Sequence, residues 1–309
     1  MRKFAVAASL CAVASGVAGF ILRRSQLLRA FEPDTGLPVA GAQSTISIMC
    51  YVAFILMASA AVALYVAKNF TSKQKYSEAF APTGGVYLTF AGLIAAALIF
   101  AGFATYLRHG FSNRPQLLIA ALTAVSGACI FGLAYEQYRL RDYKMSLVYA
   151  VVPELFLLAW LLVVYRVNQT NPVRMNYAFQ ALAIAASALG FYFNTSYVFG
   201  RRLVARLVYS HSVAVFFLGI ALADPVAYEI RVAYVSLALF FCANLFRLAM
   251  NLEHKDGNVI TAMSAPNALA YDEDTEELDE DEVDSLLRSV IFDEAGGEID
   301  DEEINEEDD

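Results

Sequence analysis

Four side chains with chemistry to offer lie where the surrounding sequence is almost wholly apolar: Glu154, His211, Asn194 and Asn244. Ionisable groups are costly at membrane depth and by default mark a proton, ion or solute site there. A carboxylate and an imidazole can share one proton or form an ion pair. Two amides can coordinate a cation or a polar solute. Glu154 directly follows Pro153, which lacks an amide donor and disturbs the carbonyl four residues back, near Tyr149. That carbonyl is a further candidate to line such a site.

The elements that would position these groups are eight apolar stretches, near 4–22, 47–67, 85–107, 117–137, 146–166, 177–199, 204–222 and 230–250. Each is long enough to cross a hydrocarbon core of ~30 Å at ~1.5 Å per residue. The chain is 58% hydrophobic, above the ~45–50% of ordinary soluble domains. The expected fold is therefore all-α, a polytopic bundle over 1–250, followed by a tail over 251–309.

Lys and Arg near span ends set orientation. The loops on the side of the N-terminus and the tail hold 13 of them, counting Arg247 as snorkelling from the last span, against 8 on the other side. The excess places both termini in the cytoplasm of a multi-pass plasma-membrane protein. With that orientation all four polar groups fall ~8–12 Å inside the cytoplasmic boundary. A common depth on four helices predicts one polar pocket, in which Glu154 is the proton or cation site and His211 its partner. The competing expectation is that these groups only fasten helices together, at ~0.6 kcal/mol per bond.

Charge divides the chain. Residues 1–271 carry a net +11 and residues 272–309 a net −20. So acidic a tail cannot bury enough apolar area to order most of itself. One island departs from this: Val283, Leu286, Leu287, Val290 and Ile291 share a helical face. They predict a short amphipathic helix near 282–292 that docks on a cytoplasmic protein or on the body's own basic loops.

Other features give expectations of smaller reach. Cys11, Cys50, Cys129 and Cys242 lack paired-ligand spacing and read as small core residues. Asp224, Glu229 and Arg231 read as an exposed ion-pair group, and Glu136 as the partner of Arg139. No metal site, no cofactor motif, no nucleophile elbow and no phosphate loop is present, so catalysis is not expected and no cofactor is implied. The first span is expected to be a retained helix closed by Arg23-Arg24, with a cleaved secretory signal as the alternative.

After that span comes Phe31-Glu32-Pro33-Asp34-Thr35-Gly36-Leu37-Pro38, whose prolines bracket turn chemistry. Such a segment can be an ordered cap or a plain connector. FEPDTGLP after a short first span ending in Arg-Arg resembles uncharacterised multi-spanning membrane proteins of anaerobic Gram-positive bacteria. The resemblance implies a bacterial membrane protein and carries no activity. Two functions compete on the sequence: a transporter-like protein for a small solute or ion, and a non-catalytic scaffold or sensor acting through the tail helix.

Overall fold

The computed structural model describes residues 2–32, 37, 39–72, 75–82, 84–111, 113–140, 144–169 and 177–254. The tail helix expected near 282–292, with Val283, Leu286, Leu287, Val290 and Ile291, lies outside them. The described chain is an integral membrane protein with eight helices long and apolar enough to span a bilayer. These are α1 (Arg2–Arg29), α2 (Gln43–Asn69), α4 (Val86–His109), α5 (Arg114–Arg139), α6 (Lys144–Asn168), α7 (Tyr177–Val198), α8 (Val204–Ala221) and α9 (Tyr228–Met250). Between α2 and α4 lie the strand β1 (Phe70–Thr71) and the short helix α3 (Tyr76–Ala79), and strand β2 (Glu253–His254) follows α9.

Local chemistry sets several boundaries. Asn113 caps α5 by accepting the Gln116 amide, with proline in the first turn. Gly110 ends α4 at φ 61°, a left-handed conformation that glycine adopts without penalty. Pro153 sits inside α6, and the flanking turns keep the helix continuous across it.

Helices α4 to α9 close into a ring, each packing on the next and α9 returning to α4. Helix α1 lies outside this ring against α8 and α9, and α2 packs on α1 and α8. Consequently α8 is the most buried span, at 67%, and α2 the least, at 11%. The α1–α8 seam depends on small residues. A Cβ built on Gly219 would lie 2.6 Å from the Gly16 Cα, so the two backbones touch, as small residues permit where lipid gives no apolar drive for association.

The first span differs from its sequence reading. Helix α1 does not close at Arg23-Arg24 but runs to Arg29, because the buried Arg23 donates to Asp224 at 2.8 Å. Past its end, Val39 N–H donates to the Ala30 carbonyl and Glu32 N–H to the Leu37 carbonyl. These bonds bring Ala30 and Glu32 beside Val39 and Leu37.

Cys129 is buried as expected and Cys242 is half-buried. Cys11 and Cys50 are exposed on the bundle exterior, where an apolar side chain suits lipid as well as core.

Candidate functional site

The interior of the ring has three levels between the end where α9 runs out, here the tail end, and the opposite, far end. At the tail end the connection between α2 and α4 folds inward instead of looping away. Phe70 and Thr71 pair antiparallel with His254 and Glu253. The Ser72 and Tyr197 hydroxyls share a hydrogen bond of 2.5 Å. Tyr76, Ser77, Ala79 and Phe80 are all buried, and the Asn251 amide donates to the Ala79 and Ala81 carbonyls.

Arg247 organises this level. Its Nη1 donates to the Phe80 carbonyl at 2.9 Å and to Gln137 Oε1 at 2.5 Å, and its Nη2 donates to Asn244 Oδ1. The guanidinium carbon lies 3.7 Å from the centre of the Tyr87 ring, a close cation–π contact. Gln137 Nε2 donates to the Tyr76 hydroxyl at 2.7 Å, and the Tyr87 hydroxyl donates to Gln137 Oε1. Burial pushes the Tyr76 phenol above its usual pKa, so it stays protonated at physiological pH.

Each sequence-predicted site residue has a definite place relative to this network. Asn244, Asn194 and His211 are all fully buried, on α9, α7 and α8. Phe241 links them: its ring packs at 5.0 Å on His211 and at 5.1 Å on Phe191. Asn194 and Asn244 each lie three residues beyond Phe191 and Phe241 on the same helices, about one turn nearer the tail end. Asn194 lies beside Tyr76, yet neither of its amide atoms completes a hydrogen bond. His211 Nε2 and Asn244 Nδ2 are likewise without a partner.

Glu154, on α6, is half-buried beside the Thr195 side chain. Among the described residues no hydrogen bond or ion pair joins it to His211. Helix α7, which carries Thr195, packs on both α6 and α8.

The middle level is aromatic. Trp160 stacks between Phe156 and Tyr234, both at 5.4 Å, and Phe191 stacks on Phe240 at 5.0 Å. The far end is open. A cavity of about 620 Å³ enters among α4, α5, α6, α7 and α9, lined by Thr105, Arg108, Gln116, Gln180, Glu229 and, at its deepest, Trp160. From Asn168 at its rim to Trp160 it descends two turns of α6, about 12 Å.

Each buried carboxylate described at the far end is paired. Arg23 meets Asp224, and Arg108 meets Glu229 at 3.0 Å. This corrects the exposed group expected of Asp224, Glu229 and Arg231: both carboxylates are buried, held by arginines distant in the sequence. Burial, partly offset by Arg23, pushes the Asp224 carboxyl up to about 6.

Two further expectations are corrected. Arg247 does not snorkel but is 5% exposed, because neutral acceptors from α5, α9 and the 70–82 segment surround it. Glu136 does not pair with Arg139, whose guanidinium lies over the Tyr135 ring instead. The signal for Arg247 was its position three residues after Asn244, on the same helix face. Gln137 and Tyr76 gave no periodic signal, since their roles come from contacts between distant segments.

No protein family, curated protein or solved structure matches the chain.

Proposed function

We propose that the protein is a transporter-like carrier of a small solute or ion. The observation that carries this reading is the order of levels within one ring of helices. An open polar vestibule ends on a stacked aromatic floor, and beyond it lie buried polar atoms with unmet hydrogen-bonding capacity. An orphaned buried polar atom costs ~1–3 kcal/mol, and a polar ligand or water relieves that cost. Trp160 is six residues from Glu154 on α6, about 9 Å along the axis. A solute passing the floor would next meet Glu154 and Thr195, then Asn194, His211 and Asn244. Glu154 serves as the proton or cation site. Asn194 and Asn244 supply coordinating amides, and residues 75–82 with Arg247 form the closed tail-end gate.

With both termini in the plasma-membrane cytoplasm, as the loop charges favour, the vestibule faces outward. The test is solid-supported-membrane electrophysiology on the reconstituted full chain, screened over inorganic cations, inorganic anions, amino acids and sugars. A solute-dependent current that Glu154→Gln abolishes without loss of fold supports the carrier. Absence of current for every class overturns it. In the alternative, the tail helix recruits a cytoplasmic protein or docks on the body's own basic loops. Deleting 279–309 would then remove the phenotype while Glu154→Gln leaves it intact.

A further inference from the structure

We infer that a groove on the outside of the ring holds one anionic phospholipid, its phosphate at Arg247 and an acyl chain along α9. Helices α1 and α4 both pack on α9 and leave part of its surface uncovered between them. Two apolar hollows, of about 540 and 220 Å³, lie there. Leu239 and Cys242 line both hollows, so they form one continuous trench. From Val235 to Arg247 it follows twelve residues of α9, about 18 Å. That length matches the depth of one leaflet, about 15 Å. Its walls are apolar except at the tail-end extremity.

That extremity is built for an anion by three independent features. The first is Arg247. Four of its five N–H groups donate to neutral oxygens, of Ala243, Phe80, Gln137 and Asn244. Among the described residues no carboxylate lies within the 4.0 Å of a salt bridge. A guanidinium withdrawn from water without a counter-charge is unfavourable, and one donor remains to meet an anion. The second is Ser9, which is 8% exposed, lines the same hollow, and has a hydroxyl without any hydrogen-bond partner. The third is the start of α4. Gly84 and Val86 line the hollow, which places the positive end of a 24-residue helix at the same spot.

A phosphodiester supplies acceptors for all three at once, and its glycerol carries the chain into the trench. Basic pockets between spans select anionic lipids in this way. Free phosphate shares the headgroup chemistry but leaves the trench without an occupant, so the lipid is the better fit. The trench runs along the lipid-facing side of α9 and shares only its Arg247 extremity with the proposed tail-end gate. Its test reads lipid retention, so a failure to find transport leaves it standing.

The test is native mass spectrometry of the full chain released from nanodiscs of equal phosphatidylglycerol and phosphatidylcholine. One phosphatidylglycerol should be retained at least tenfold over phosphatidylcholine. Ser9→Glu should cut that retention at least fivefold, because its carboxylate would itself meet Arg247. Leu239→Trp should do the same by obstructing the trench. If the carboxylate variant does not fold, Ser9→Ala reads the same contact as a smaller loss. Equal retention of the two lipids overturns the proposal, as does phosphatidylglycerol retention indifferent to the Ser9 and Leu239 variants. Displacement of the lipid by millimolar inorganic phosphate would show a headgroup site alone and overturn the role of the trench.

Discussion

The far end and the tail end of the ring handle charge in opposite ways. At the far end each buried carboxylate has an arginine, Asp224 with Arg23 and Glu229 with Arg108. The space between the helices is left open as a vestibule. At the tail end the buried Arg247 meets, among the described residues, only neutral oxygens and aromatic faces, and Tyr76, Ala79 and Phe80 are buried beside it. Paired charge can border water because its field is largely cancelled. Unpaired charge must be wrapped by dipoles or wait for an anion. In the proposed carrier the far end is the entrance and the tail end the seal.

The largest effect should come from breaking an ion pair at the entrance. Asp224→Ala breaks an ion pair that is buried on both sides and should cost ~3–5 kcal/mol in a denaturation assay in detergent. Replacing both by leucine should return most of that loss, since a buried pair is often close to neutral against apolar residues. If Arg247→Met, at the seal, costs as much as Asp224→Ala, the contrast between the two ends fails. The expected cost is ~2–3 kcal/mol, set by orphaned acceptors at Phe80 and Asn244.

The entrance should also respond to pH. The folded Asp224 carboxyl, near 6, lies above its ordinary value of 3.8. Proton uptake therefore favours the folded state. The contribution is fully present below about 3.8 and is lost as pH rises through about 6. Arg23→Gln removes the group that holds this pKa down, so its destabilisation should be larger at pH 8 than at pH 5. Thermal unfolding at the two pH values checks the sign, and an equal loss at both would refute it.

Accessibility sharpens the comparison without touching stability. In a chain whose four native cysteines are replaced, Gln180→Cys should react with an impermeant thiol reagent from the far side. Asn194→Cys, behind the aromatic floor, should not. The smallest effect belongs to the edge of the seal. Ser72→Ala removes one hydrogen bond to Tyr197 and should cost ~1 kcal/mol.

The eight spans were legible because each is a long apolar run, and seven of the eight boundaries fall within a few residues of the sequence reading. The exception is instructive. Arg23 reads as a stop signal by type, and only Asp224, 201 residues away, makes it part of a helix interior. Asn194, His211 and Asn244, which the structure buries, stood out in the sequence because polar residues in apolar runs are conspicuous. Tyr76, Gln137 and Arg247 did not, because they sit near span ends, where polar residues are ordinary. Their burial is decided by a connecting segment folding inward, and no local pattern records such a fold.

The two-residue ladder between β1 and β2 has a mechanical consequence. Its Glu253–His254 side follows directly on α9, and its other side leads, five residues after Thr71, into Tyr76. Parting that zipper would release Phe70 and Thr71 from the end of α9 and loosen the approach to Tyr76 and Phe80. The exit of α9 and the approach to α3 are thus clasped at a single point.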